Sequence, residues 1–229
     1  RDKHVTGVQT CALPIFKDLG AAGQAVWLDF VDRKFLNEGG LRKLIEKDGL
    51  TGVTSNPSIF EKAMGHGDAY DEGFRSFLGK ADASVTDAYE SEATADIKAA
   101  AADLRSVYDR LGGKDGYVSL EVSPYVATDT KETIGEARRL WQMVAEPNLM
   151  VKVPGTRAGI PAIRQLIEDG LNINVTLLFS LAAYQAVAEA YMAGLEARVK
   201  KGEAISRIAS VDRKSVVEGK SVDPGGRRI

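Results

Sequence analysis

Six short apolar runs recur along this chain, and a segment of helix length separates each from the next. The runs cover residues 25–30 (AVWLDF), 50–54 (LTGVT), 116–122 (GYVSLEV), 149–153 (LMVKV), 172–178 (NINVTLL) and 205–211 (ISRIASV). Helices are predicted over 32–48, within 57–79, and over 86–110, 129–145, 157–169 and 180–200, with Gly49, Gly112–Gly113, Gly170 and Gly202 as stops. Strands joined through helices imply right-handed βαβ units and a parallel sheet, hence an α/β architecture. Two arrangements are open, a doubly wound sheet and a (β/α)8 TIM barrel. No G-x-G-x-x-G follows the first strand and no G-x-x-x-x-G-K-[ST] occurs anywhere, so neither dinucleotide nor P-loop chemistry is indicated. The barrel reading makes a demand of its own: odd polar residues belong at the C-terminal ends of its strands.

That demand is met strand by strand. Asp29 ends the first run, Asn56 follows the second in GVTSNPSIF, Glu121 ends the third, Lys152 sits inside the fourth, and Asn174 and Thr176 lie two apart in the fifth. Lys152 is the sharpest of them. Burial among apolar neighbours disfavours an ammonium ion, and a neutral amine is a nucleophile whose common use is an imine with a carbonyl substrate. Each residue also has a plain structural explanation. Lys152 could protect a sheet edge, Asp29 could cap the next helix, and Asn56-Pro57 could make a turn. Glu121 could pair with a surface arginine, and Asn174 and Thr176 could bond a neighbouring strand. Together these explanations need five coincidences in one barrel register.

Bulk properties narrow the classes further. The chain has 229 residues, 44% apolar and 27% charged, with a net charge of -2. This is enough for one domain with a full core, and it gives no electrostatic case for nucleic acid or membrane surfaces. No apolar run reaches the ~18 residues of a membrane span. One cysteine (Cys11) excludes an internal disulfide, and two separated histidines (His4, His66) argue against a zinc centre. A cytoplasmic enzyme working without metal or cofactor is expected.

The combination of GVTSNPSIF, LMVKVPGT and NINVTLLFS resembles the transaldolase family, over about residues 16–211. The resemblance implies a TIM barrel and transfer of a dihydroxyacetone unit between sugar phosphates in the pentose phosphate pathway. Lys152 would form the Schiff base, Asp29 would move the proton of the C4 hydroxyl, and Glu121 with Thr176 would hold a water. Asn56 and Asn174 would bind substrate hydroxyls. A fructose-6-phosphate aldolase-like enzyme and a catalytically inactive truncated fragment are the alternatives. In the family, the sixth strand leads to a serine, a phenylalanine and an arginine that hold the phosphate. Here ISRIASV runs into Asp212-Arg213-Lys214, and Arg213 does not inherit that role. The barrel is therefore expected to be truncated after about five and a half strands. Residues 1–16 and 212–229 lack periodicity and resemble translated adapter sequence, so they are read as non-native segments flanking a partial barrel over 17–211.

Overall fold

The computed structural model describes residues 12–79, 84–214, 216–217 and 220–221. The chain divides into two compact units, Arg1–Val118 and Ser119–Ile229.

In the first unit, helix α1 (Ala12–Ala21) leads to strand β1 (Trp27–Asp29), α2 (Arg33–Asn37) and α3 (Gly40–Lys43), which runs into a π-helical turn at Leu44–Asp48. Strand β2 (Gly52–Thr54), α4 (Pro57–Gly65), α5 (Asp71–Leu78) and α6 (Val85–Arg110) follow. β1 and β2 are parallel, with Trp27 opposite Gly52 and Asp29 opposite Thr54. Gly52 is required there, since a Cβ would lie 2.4 Å from the Trp27 indole. That indole donates to Asp115 Oδ1 at 3.0 Å. α6 begins with a Ser84–Asp87 capping box. It buries Ile97, Ala100, Ala101, Leu104 and Val107, the spacing of one helical face.

Two local expectations change in this unit. The periodicity of 32–48 predicts one helix, but Gly39 adopts φ 71° and breaks it into α2 and α3. Gly40 then packs against Phe35, whose ring leaves no space for a Cβ. The aperiodic head also contains structure, because residues 12–16 belong to α1.

The first unit is pinned by a polar knot that the sequence does not announce. Arg33 reaches Asp96 Oδ1 through Nε at 2.7 Å, pairs with the Glu92 carboxylate, and donates to Glu92 O at 3.0 Å. The Tyr70 hydroxyl donates to Asp96 Oδ2 at 2.8 Å and accepts from Arg33 N at 3.0 Å. The Tyr70 ring lies 4.5 Å from the guanidinium carbon. Burial by itself would lower the Arg33 pKa, but its hydrogen bonds to Asp96 and Glu92 outweigh burial and raise it. Burial pushes the Asp96 carboxyl up, against the pull of Arg33 and Tyr70.

The second unit contains β3 (Val118–Glu121), a 3₁₀ turn at Pro124–Val126, α7 (Thr130–Val144) with Trp141, β4 (Leu149–Pro154), α8 (Gly159–Asp169), β5 (Ile173–Leu178), α9 (Leu181–Lys200) and β6 (Ser210–Lys214). All six residues of β4 are buried. Parallel pairing sets Lys152 opposite Asn174 and Pro154 opposite Thr176. The sixth strand is predicted over 205–211 but lies at Ser210–Lys214, because pairing with β5 begins only at Ser210. It therefore runs three residues past the predicted limit at Val211.

Asn172 fixes where these strands start. Its amide donates to Pro147 O and Leu149 O, both at 3.1 Å, and its Oδ1 accepts from Ala209 N at 3.0 Å. Asn172→Ala would leave the buried Leu149 carbonyl and two part-buried backbone groups without this partner, and a loss of roughly 2 kcal/mol in a urea titration is expected.

The strands hydrogen-bond in the order β1-β2-β3-β4-β5-β6, which is also their order in the chain. Sequential parallel strands with helical crossovers are the topology of a TIM barrel, of which six strands lie among the described residues.

Candidate active site

Strands β3, β4 and β5 bring five polar side chains of the second unit to one face: Ser119, Glu121, Lys152, Asn174 and Thr176. Lys152 is 3% exposed, and its Nζ lies 3.3 Å from Glu121 Oε2. β4 lies between β3 and β5, so Lys152 is on an interior strand and the edge-strand explanation fails. Among the described residues Glu121 pairs with this buried amine and not with a surface arginine. Its side chain remains about a quarter exposed, at 26%, and so keeps contact with water.

Asn174 is the register partner of Lys152, so both side chains project from the same face. Its Nδ2 donates to Ser119 Oγ on β3 at 2.9 Å, passing across β4. Ser119 is two residues before Glu121 and shares its face. Thr176 is buried, and among the described residues its Oγ1 has no hydrogen-bond partner. A buried hydroxyl without a partner costs stability unless a bound molecule satisfies it.

The other two expected residues lie in the first unit. Asp29 is exposed at the carboxyl end of β1. The capping explanation for it falls away, because Asp32 caps α2 by accepting from Phe35 N at 2.9 Å. Asn56 does cap a helix. Its Oδ1 accepts from Ile59 N at 3.0 Å at the start of α4, with Pro57 in the first turn. That bond occupies the carbonyl oxygen, and Asn56 also carries two amide protons as donors.

Ser119 is the residue that sequence reasoning misses. It sits in the run Y-V-S-L-E-V, where a small hydroxyl passes as strand filler. Its distance of two from Glu121 is the only signal that it shares the polar face.

Chemically, the cluster sets a buried primary amine beside a carboxylate, next to an amide donor and an unsatisfied hydroxyl. An amine so placed can attack a carbonyl carbon while the carboxylate accepts and returns protons. Among the described residues no group of His, Cys, Asp and Glu could hold a metal ion. None of the described helices is long and apolar enough to cross a membrane.

Comparison with known proteins gives the cluster its setting. A profile described as transaldolase/fructose-6-phosphate aldolase matches residues 26–216. The chain is 46% identical to "Transaldolase 2" of Nostoc punctiforme over 189 residues, covering 82% of this chain and 49% of that protein. It is 48% identical to "Transaldolase" of Thermobifida fusca over 195 residues, with 85% and 53% covered. For "Transaldolase" of Thiobacillus denitrificans the figures are 46% over 197 residues, 86% and 55%. The chain spans about half the length of the curated relatives it matches. The profile match over most of the chain and the relatives' identity place this protein in the transaldolase/fructose-6-phosphate aldolase family.

Proposed function

We propose that the whole protein transfers a dihydroxyacetone unit from a ketose phosphate to an aldose phosphate through a Schiff base on Lys152. The observation that carries this reading is the buried Lys152 amine 3.3 Å from the Glu121 carboxylate on an interior strand. The amine attacks the ketose carbonyl, and loss of water gives a protonated imine. The imine accepts the electron pair released when the C3–C4 bond breaks, so no external cofactor is needed. Asp29 removes the C4 hydroxyl proton during cleavage and returns a proton when the enamine adds to the acceptor aldehyde. Glu121 and Thr176 hold the water that moves protons as the carbinolamine forms and collapses. Asn174 and Asn56 hydrogen-bond the dihydroxyacetone hydroxyls and hold the enamine in place. Sedoheptulose 7-phosphate and fructose 6-phosphate are the proposed donors, in a cytoplasmic pentose phosphate pathway.

Trapping tests this reading. The full-length protein is incubated with fructose 6-phosphate and borohydride, then digested and mapped. A reduced adduct on Lys152 is the expected result; an adduct only on other lysines, or none, overturns it. A second reading, release of the aldehyde to water, draws on the aldolase half of the family description. Competition between water and erythrose 4-phosphate separates the two.

Thr176→Val adds a discriminating prediction. Valine has nearly the same shape, and the hydroxyl it removes has no partner among the described residues. Thermal stability should stay within about 0.5 kcal/mol or rise, while imine formation slows by roughly 100-fold. Rapid-quench borohydride trapping measures the rate.

A further inference from the structure

Strand β5 carries one residue more than its partner. Asn174 and Val175 pair with Val211 and Asp212, yet Leu178 pairs with Lys214, so two residues of β5 (176–177) stand opposite one of β6 (213). The extra residue is Leu177, at φ 62°, and the residue is 52% exposed. A leucine in the left-handed region is strained, and a bulge built on one is a feature to be explained.

The bulge changes which way the strand faces. By strict alternation Asn174, Thr176 and Leu178 would share one face, the face of Lys152. Leu178 instead lies against Gly155, where its Cδ2 would sit 2.5 Å from a Cβ added to that glycine. Gly155 has the parity of Val151 and Val153, opposite to Lys152 and Pro154. Leu178 has therefore moved to the Val153 face, where it is fully buried. Gly155 makes room for it and also ties the turn down, donating from N to Thr176 O at 2.8 Å. Thr176 is thus the last residue of β5 on the Lys152 face, and no leucine follows it there.

We propose that Leu177 is a positioning residue: its left-handed bulge ends the polar face of β5 at Thr176 and turns Leu178 away from the space beside Lys152 that the ketose occupies. The inference rests on the imine-forming role of Lys152. The backbone conformation matters here, not the leucine side chain, so glycine serves at this position and a missing residue does not.

Three proteins test it: the unaltered chain, Leu177→Gly, and a chain lacking Leu177. Circular dichroism checks folding, and two labels are read at Lys152: the fructose 6-phosphate–borohydride adduct, and reductive methylation by formaldehyde and cyanoborohydride relative to the exposed Lys98. Leu177→Gly should trap the adduct at an undiminished rate and melt at a higher temperature. The deletion returns Leu178 to the Lys152 face, and trapping should fall by about 100-fold with methylation of Lys152 lost. If the deletion does not fold, Leu177→Val takes its place, since a branched Cβ disfavours the left-handed region, and the same two losses are expected. A folded deletion that labels like the unaltered chain overturns the proposal, as does Leu177→Gly labelling as poorly as the deletion. If the unaltered chain forms no adduct, the Schiff-base reading fails, and methylation still decides whether the bulge keeps Lys152 accessible.

Discussion

Lys152→Met abolishes the borohydride adduct and lowers transaldol transfer by roughly 1000-fold or more, while the folded chain melts at the same temperature or higher. The two halves of this result have one cause. Lys152 is almost wholly buried, and holding an amine there sacrifices hydration. Methionine fills a similar volume without that cost. Its former partner Glu121 is left unpaired, but at 26% exposure water can solvate the carboxylate. A gain of about 1 kcal/mol is within reach, the pattern of a residue kept for chemistry at the expense of stability. Peptide mapping and a differential scanning trace on the same sample check both halves. A Lys152→Met chain that still forms an adduct at that strand would sink the assignment, and a large fall in melting temperature would show that the amine holds the fold together.

Arg33→Ala has the largest expected effect on stability, a loss of about 3–5 kcal/mol. The substitution leaves two carboxylates behind, Glu92 with a side chain 9% exposed and Asp96 at 4%, close together and without their cation. Burial already raises the Asp96 pKa in the intact protein, and removal of Arg33 takes away most of what pulls it down, leaving only the Tyr70 hydrogen bond. The sign follows from linkage. A carboxyl whose folded pKa lies above its unfolded value contributes stability below the unfolded value and loses it as pH rises through the folded one. The Arg33→Ala penalty should therefore be larger at pH 7 than in the acid range where the carboxyls are protonated. Urea midpoints for both proteins across that range measure it; a penalty that stayed flat or grew toward low pH would contradict the account.

The strands were legible because interior strands of a parallel sheet read as apolar runs, as Leu149–Pro154 does with every residue buried. The candidate site stands out for the same reason: Lys152, Asn174 and Thr176 are polar residues within such runs. The Arg33 knot was not legible, because Arg33 lies 59 residues from Glu92 and 63 from Asp96, and each alone passes for a solvated helix charge. The break at Gly39 hid inside a helical apolar period that continues across it from Phe35 to Ile45. The bulge at Leu177 left no mark, since an apolar residue fits the sequence whether it points inward, outward or away. Backbone conformation at a non-glycine residue is set by its neighbours in space, and Gly155 lies more than twenty residues upstream.

The division into two units has a spectroscopic consequence. The chain's two tryptophans fall one to each side: Trp27 on β1, bonded to Asp115, and Trp141 on α7. Each is a native fluorophore reporting on a single half. With phenylalanine at one position at a time, emission follows either half through denaturation, and coincidence of the two curves is a direct measure of whether they melt as one cooperative body.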